Sequence, residues 1–111
     1  MTAFDPRWDG TSIPEKHWHF HRRLHERYGI VMVPGDFGAM VKAIKSGKAL
    51  MVRKQDRGRR IYWCKVPSCY ERIYVLARRD AIFTAWPATP DIIKDRKRAQ
   101  ARLEAERAKG F

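Results

Sequence analysis

Nothing in this 111-residue chain is apolar for long enough to cross a bilayer, and the longest apolar stretches are strand-sized. There is no signal peptide, so the expectation is a cytoplasmic protein. Cysteine is scarce: Cys64 and Cys69, spaced C-x4-C, are the only two. They could face each other across a turn at Pro67 as a disulfide, but two free thiols suit a cytosolic protein better. No internal repeat and no low-complexity segment occurs. Acidic residues are few, 12 against 24 basic, which leaves a formal net charge of +12. That imbalance favours polyanionic partners, nucleic acid before anionic membrane. A membrane-surface module is disfavoured, because no helix pairs a strong apolar face with a Lys/Arg-rich one.

The length fits one domain able to bury its own core. Charge is unevenly placed. Residues 1–36 carry five of each sign, residues 37–90 twelve basic and three acidic, and residues 91–111 seven basic and four acidic. The excess therefore falls on the middle of the chain, not on a basic tail.

That middle reads as an α+β unit: two N-terminal helices packed on a four-stranded antiparallel meander sheet, plus an exposed C-terminal helix. Residues 1–11 form an N-terminal arm, with Phe4 and Trp8 as anchors. Residues 12–90 form the domain, and residues 91–111 a basic helix with few apolar side chains. Ser12-Ile13-Pro14-Glu15 is a capping-box start, and Gly29 ends the first helix. Phe20, Leu24 and Tyr28 make its apolar stripe. Asp36 is the expected N-cap of the second helix, whose Phe37, Met40, Val41 and Ile44 face the core. Strands follow at Leu50–Lys54, Arg60–Val66, Glu71–Arg78 and Ala81–Trp86. They are separated by Asp56-Arg57-Gly58, Pro67-Ser68 and Arg79-Asp80.

Three groups of residues bear on chemistry. His17, His21 and His25 recur at i, i+4, i+8 on the first helix, an imidazole row at the border of core and solvent. Neighbouring imidazoles at that spacing can share a metal, but the third lies too far along the axis and no Cys or carboxylate motif completes a site. The expectation is therefore no metal and no cofactor. Solvated or stacked histidines beside Trp18 are one alternative, and a proton-transfer role for His17 or His21 is the other. Thr84 is the lone hydroxyl in the last strand, expected on one face with Ile82 and Trp86. It is either a plain strand former or a donor to a phosphate oxygen. Arg53, Lys54, Arg57, Arg59 and Arg60 crowd one hairpin with Asp56 as their only acid. Such a run repels itself unless a polyanion neutralises it. With Lys65, Arg72 and the interleaved rings of Tyr62, Trp63, Tyr70 and Tyr74, it suits single-stranded RNA, whose bases stack on exposed aromatics.

The order of these parts, a helical His, a second helix ending at Gly47, and a basic meander closing on Ile82-Phe83-Thr84-Ala85-Trp86-Pro87, resembles the small endoribonuclease toxins of the barnase–EndoU–colicin–RelE superfamily. The segment His21-Arg22-Arg23-Leu24-His25-Glu26-Arg27-Tyr28-Gly29-Ile30 is similar to the His…Arg-x-Gly-Ile start of one branch. The likeness covers about residues 16–88. It implies metal-independent RNA cleavage by attack of a ribose 2′-hydroxyl on its own 3′-phosphate, and a protein antidote as partner. His17 or His21 would move protons, Lys54, Arg60 or Arg78 would stabilise charge, and Thr84 would orient phosphate. The competing expectation is a non-catalytic basic accessory protein, of the kind phages use as inhibitors, that occupies nucleic acid or an acidic site on a protein partner.

Overall fold

The structure, a computed structural model, describes residues 17–79 and 81–109. The Phe4 and Trp8 anchors, the capping box at Ser12–Glu15 and Asp80 lie outside the described residues. Helix α1 spans Trp18–Tyr28 and helix α2 Asp36–Lys45. Strands β1 (Leu50–Lys54), β2 (Arg60–Lys65), β3 (Arg72–Arg78) and β4 (Ala81–Trp86) follow, and α3 (Pro90–Lys109) closes the chain. The sheet is an antiparallel meander in the order β1-β2-β3-β4. The expected α+β arrangement is thus the one the chain forms.

The sheet separates two apolar layers. On one face, Phe20 and Leu24 of α1 and Met40 and Ile44 of α2 pack on Cys64, Val66, Ile73, Val75, Ala77, Ile82 and Ala85. Each large side chain buried there is worth about 1.5–3 kcal/mol. On the other face, Ile92 of α3 seats among Val52, Ile61, Tyr74 and Leu76. Strand β3 is central to both layers, and Ile73 through Ala77 are all buried. Helix α3 is docked by Ile92 and Ala99, while residues 101–109 stand exposed. Ile93 packs beside Ile92, and Arg53 adds ion pairs to Asp95 at 2.6 Å and Asp91 at 3.1 Å.

Local chemistry sets the ends of the elements. Gly29, at φ +67°, donates its N–H to the His25 carbonyl and ends α1. Gly35, at φ +94°, not Asp36, precedes α2 as its cap. Asp36 is the first helical residue and is buried, and its carboxylate accepts from Val33 N–H at 3.1 Å and from the Ser68 hydroxyl at 2.5 Å. It ties the β2–β3 turn to α2 instead of capping the helix. Between β1 and β2, Arg57 (φ +57°, ψ +31°) and Gly58 (φ +74°) occupy the two left-handed positions of a type I′ reversal. Tyr70 (φ +60°) and Arg79 (φ +57°) sit at the other two turns of the meander.

Tyr28, the last residue of α1, joins the two layers. Its hydroxyl donates to the Trp86 carbonyl of β4 and accepts from Tyr74 N–H of β3 at 3.2 Å. Burial pushes this phenol's pKa up. Arg27 beside it donates to the Ala85 carbonyl, so the end of α1 is fastened to β4.

Candidate nucleic-acid interface

The imidazole row does not face solvent as a set. His17 stacks on Phe37 of α2, with ring centroids 3.7 Å apart and planes 21° from parallel. His21 is buried, with His17 and Asp36 of α2 close enough to act on its charge. Burial, then the charge of His17, lowers its pKa from 6.5 to about 4, with Asp36 opposing. His25 stays exposed. The three thus have separate surroundings, and His21 is neutral at pH 7.

Thr84 lies elsewhere. The β3–β4 register pairs Leu76 with Thr84 but Ala77 with Ile82, so Phe83 is an extra residue, a bulge that resets the alternation. Thr84 thus shares the α3-side face of Leu76, whereas Ile82 packs on the α1/α2 side. The expected common face of Ile82, Thr84 and Trp86 does not form. Among the described residues, the Thr84 hydroxyl has a single long contact of 3.5 Å, to the Ala85 carbonyl. The structure accordingly places Thr84 and the buried His21 in different layers, and the notch that would join them is not assembled. The described residues contain no group of His, Cys, Asp or Glu able to hold a metal ion. No helix among them is long and apolar enough to cross a membrane.

What the fold does assemble is charge. In the meander, the β1–β2 and β3–β4 reversals come to the same end of the sheet: Lys54 pairs with Arg60, Arg60 with Ala77, and Arg78 with Ala81. The stem of Arg78 passes 3.7 Å from where a Cβ on Gly58 would sit, so the two turns touch. Lys54, Arg57, Arg60, Arg78 and Arg79 are all exposed here. None of the five has an ion pair among the described residues. Arg59 is held at 2.6 Å by Asp56. Arg53, expected to join this group, is instead committed to Asp91 and Asp95 of α3, which hold it in its charged form.

A second feature lies on the α3-side face, towards the opposite end of the sheet. Trp63 carries two guanidinium groups near its ring, Arg96 at 4.4 Å and Arg72 at 5.2 Å. Lys65 sits 4.9 Å from the ring of Tyr70, which is 75% exposed. Trp63, Tyr70, Arg72 and Arg96, with Tyr28, Tyr74, Ala88 and Ile93, line an open cleft of about 420 Å³, and Lys65 stands beside it through Tyr70. No carboxylate lines it. A larger groove of about 590 Å³ between α3 and β1 is lined by Val52, Asp95, Arg98, Ala101 and Arg102. It holds no aromatic side chain, and its one acid is already paired with Arg53.

Of the rings expected to stack on bases, Tyr62 packs against the helix-side core. Trp63, Tyr70 and Tyr74 gather at the cleft. Arg96 was hidden in a helix rich in charge. Its spacing was the available signal, since it lies at i+4 from the buried Ile92 and so on the docked side of α3. Both cysteines are free, Cys64 buried and Cys69 exposed, and burial pushes the Cys64 thiol up to about 11. The chain matches no protein-family model, no curated protein and no solved structure.

Proposed function

We propose that this protein binds single-stranded nucleic acid, RNA foremost, through the basic end of its sheet, and does not itself cut the strand. The observation that carries the reading is the convergence of Lys54, Arg57, Arg60, Arg78 and Arg79 on two touching reversals, all exposed and without acidic partners among the described residues. Five cations placed this way repel one another, and a phosphate backbone relieves that repulsion while releasing its condensed counterions. A flexible single strand can follow the contour of two short turns more easily than a rigid duplex can. Exposed aromatic rings on the same molecule suit unpaired bases.

The placement of His17, His21 and Thr84 supports binding without cleavage. A group that moves a proton must reach the reacting atoms. His21 is buried in the helix layer and His17 is stacked on Phe37, while Thr84 belongs to the other face.

The test is fluorescence anisotropy with a labelled twelve-nucleotide oligouridine across a salt series. If all five cations contact phosphate, log Kd against log salt should have a slope of about 3 to 4. The charge-reversed variant Arg57→Glu/Arg60→Glu/Arg79→Glu should lose most of the affinity and flatten the slope. Binding unaffected by that variant would defeat the assignment. Total RNA incubated with the protein in chelator should remain intact, and fragments with cyclic-phosphate ends would restore the endoribonuclease reading. Equal affinity for polyglutamate would turn the reading towards an acidic protein partner.

A further inference from the structure

We infer that the cleft beneath α3 is a guanine-nucleotide pocket, an inference that rests on the nucleic-acid reading and adds base preference to it. Two independent features point to a ligand. The first is polar. Tyr74 is only 3% exposed and lines the cleft, and its hydroxyl meets the Arg96 guanidinium without a well-formed hydrogen bond. That guanidinium holds down a pKa that burial pushes up, and Arg96 Nε is buried and unbonded. Leaving one such group unsatisfied costs about 1–3 kcal/mol, which a ligand atom can recover. The second is the ring of Tyr70. A bulky side chain rarely adopts a left-handed backbone, yet Tyr70 does, with its N–H bonded to the Val66 carbonyl at 2.9 Å and its ring held out in solvent beside Lys65.

The chemistry of the walls selects the occupant. Guanidinium groups and a phenol O–H donate, and no carboxylate is present to accept. The fitting edge is rich in acceptors, and among the bases guanine O6 and N7 form such an edge, the usual partner of arginine. Adenine presents an amino group at the same place and would set a donor against donors. The base face stacks on Tyr70 or a guanidinium plane, and Lys65 and Arg72 remain for the attached phosphate.

The experiment compares U12 with the same strand carrying one central guanine or one central adenine, using the full chain. Guanine should tighten binding by at least about fivefold over adenine. Tyr74→Phe should erase that difference while leaving U12 affinity and its salt slope unchanged, because the ring is kept and the cleft lies away from the basic end of the sheet. Arg96→Gln should do the same. Tryptophan fluorescence titrated with 5′-GMP and 5′-AMP reads the cleft independently of strand binding. Quenching by GMP that disappears in Trp63→Phe and Tyr74→Phe supports the pocket even if U12 fails to bind, a failure that would fall on the basic sheet end alone. GMP binding as tight as the guanine strand supports the pocket with a free nucleotide as its source. Strands and mononucleotides that do not distinguish guanine from adenine, or a preference unchanged in Tyr74→Phe, overturn it.

Discussion

The two faces of the sheet are made by the same strands and finished differently. The face under α1 and α2 is closed, and among the described residues its buried side chains are apolar apart from His21 and Asp36. The face under α3 is half closed: one helix crosses it, seated by Ile92 and Ala99, and leaves the Trp63–Tyr70–Arg72 region open. Covering a four-stranded sheet with two helices makes a core, whereas covering it with half of one makes a core and a cleft together. The aromatic side chains on the open side belong to both, since Tyr74 packs with Leu76 and Ile92 and also lines the cleft. Stability should therefore depend mostly on the closed face, and recognition on the open one.

The largest expected effect sharpens that division. Leu24→Ala on the closed face should cost about 2–5 kcal/mol, a fall of 10 °C or more in melting temperature. Tyr70→Ala on the open face should shift melting by less than a few degrees. Equal losses in a thermal melt would erase the distinction between the faces.

Acid comes next: on the closed face it acts through His21, while Asp91, whose pKa Thr89 and Arg53 hold down, answers at the start of α3. The pKa of His21 is lowered on folding, so the folded state resists its protonation. Its stabilising effect is complete above the unfolded pKa of 6.5 and is lost as pH falls towards about 4. As much as about 3 kcal/mol is at stake. Urea midpoints at pH 7 and pH 4.5 should differ more in the parent than in His21→Leu, and parallel behaviour of the two would remove His21 as the cause.

Tyr28→Phe should cost about 1–3 kcal/mol by stranding the Trp86 carbonyl and the Tyr74 N–H, where the two layers are joined. Chemical denaturation measures it. The smallest effect is Arg53→Ala, within about 1 kcal/mol, because its ion pairs are partly exposed. Its sign should appear as faster hydrogen exchange in the first turns of α3, with the rest of the sheet unchanged.

The strands were legible because turns and breakers frame them: Gly58, Pro67 and the Trp86-Pro87 step mark ends that periodicity alone would leave vague. The helices were legible where one stripe is apolar, as in Phe20, Leu24, Met40 and Ile44. The failures share a cause, in that each depends on a partner distant in sequence. A bulge at Phe83 arises from how β4 meets β3, and no residue of β4 announces it. Arg53 looks like a free cation until α3 brings Asp91 and Asp95 to it. The histidine row has helical spacing, but which side it turns inward is decided by α2. Asp36 resembles a cap in sequence, yet its carboxylate is engaged by Val33 and Ser68.

The three left-handed side chains at the meander's turns carry a consequence for any attempt to improve this protein. Arg57, Tyr70 and Arg79 each stand where glycine would rest at lower energy, by about 1–2 kcal/mol, offset in part by the freedom glycine gains when unfolded. Glycine at all three would relax the loops and strip two cations and the most protruding ring in one step. Such a chain should melt no lower than its parent yet lose the RNA affinity proposed above. A screen for heat resistance would thus steer towards a sturdier, emptier scaffold, because backbone ease and reach oppose each other at the same three positions.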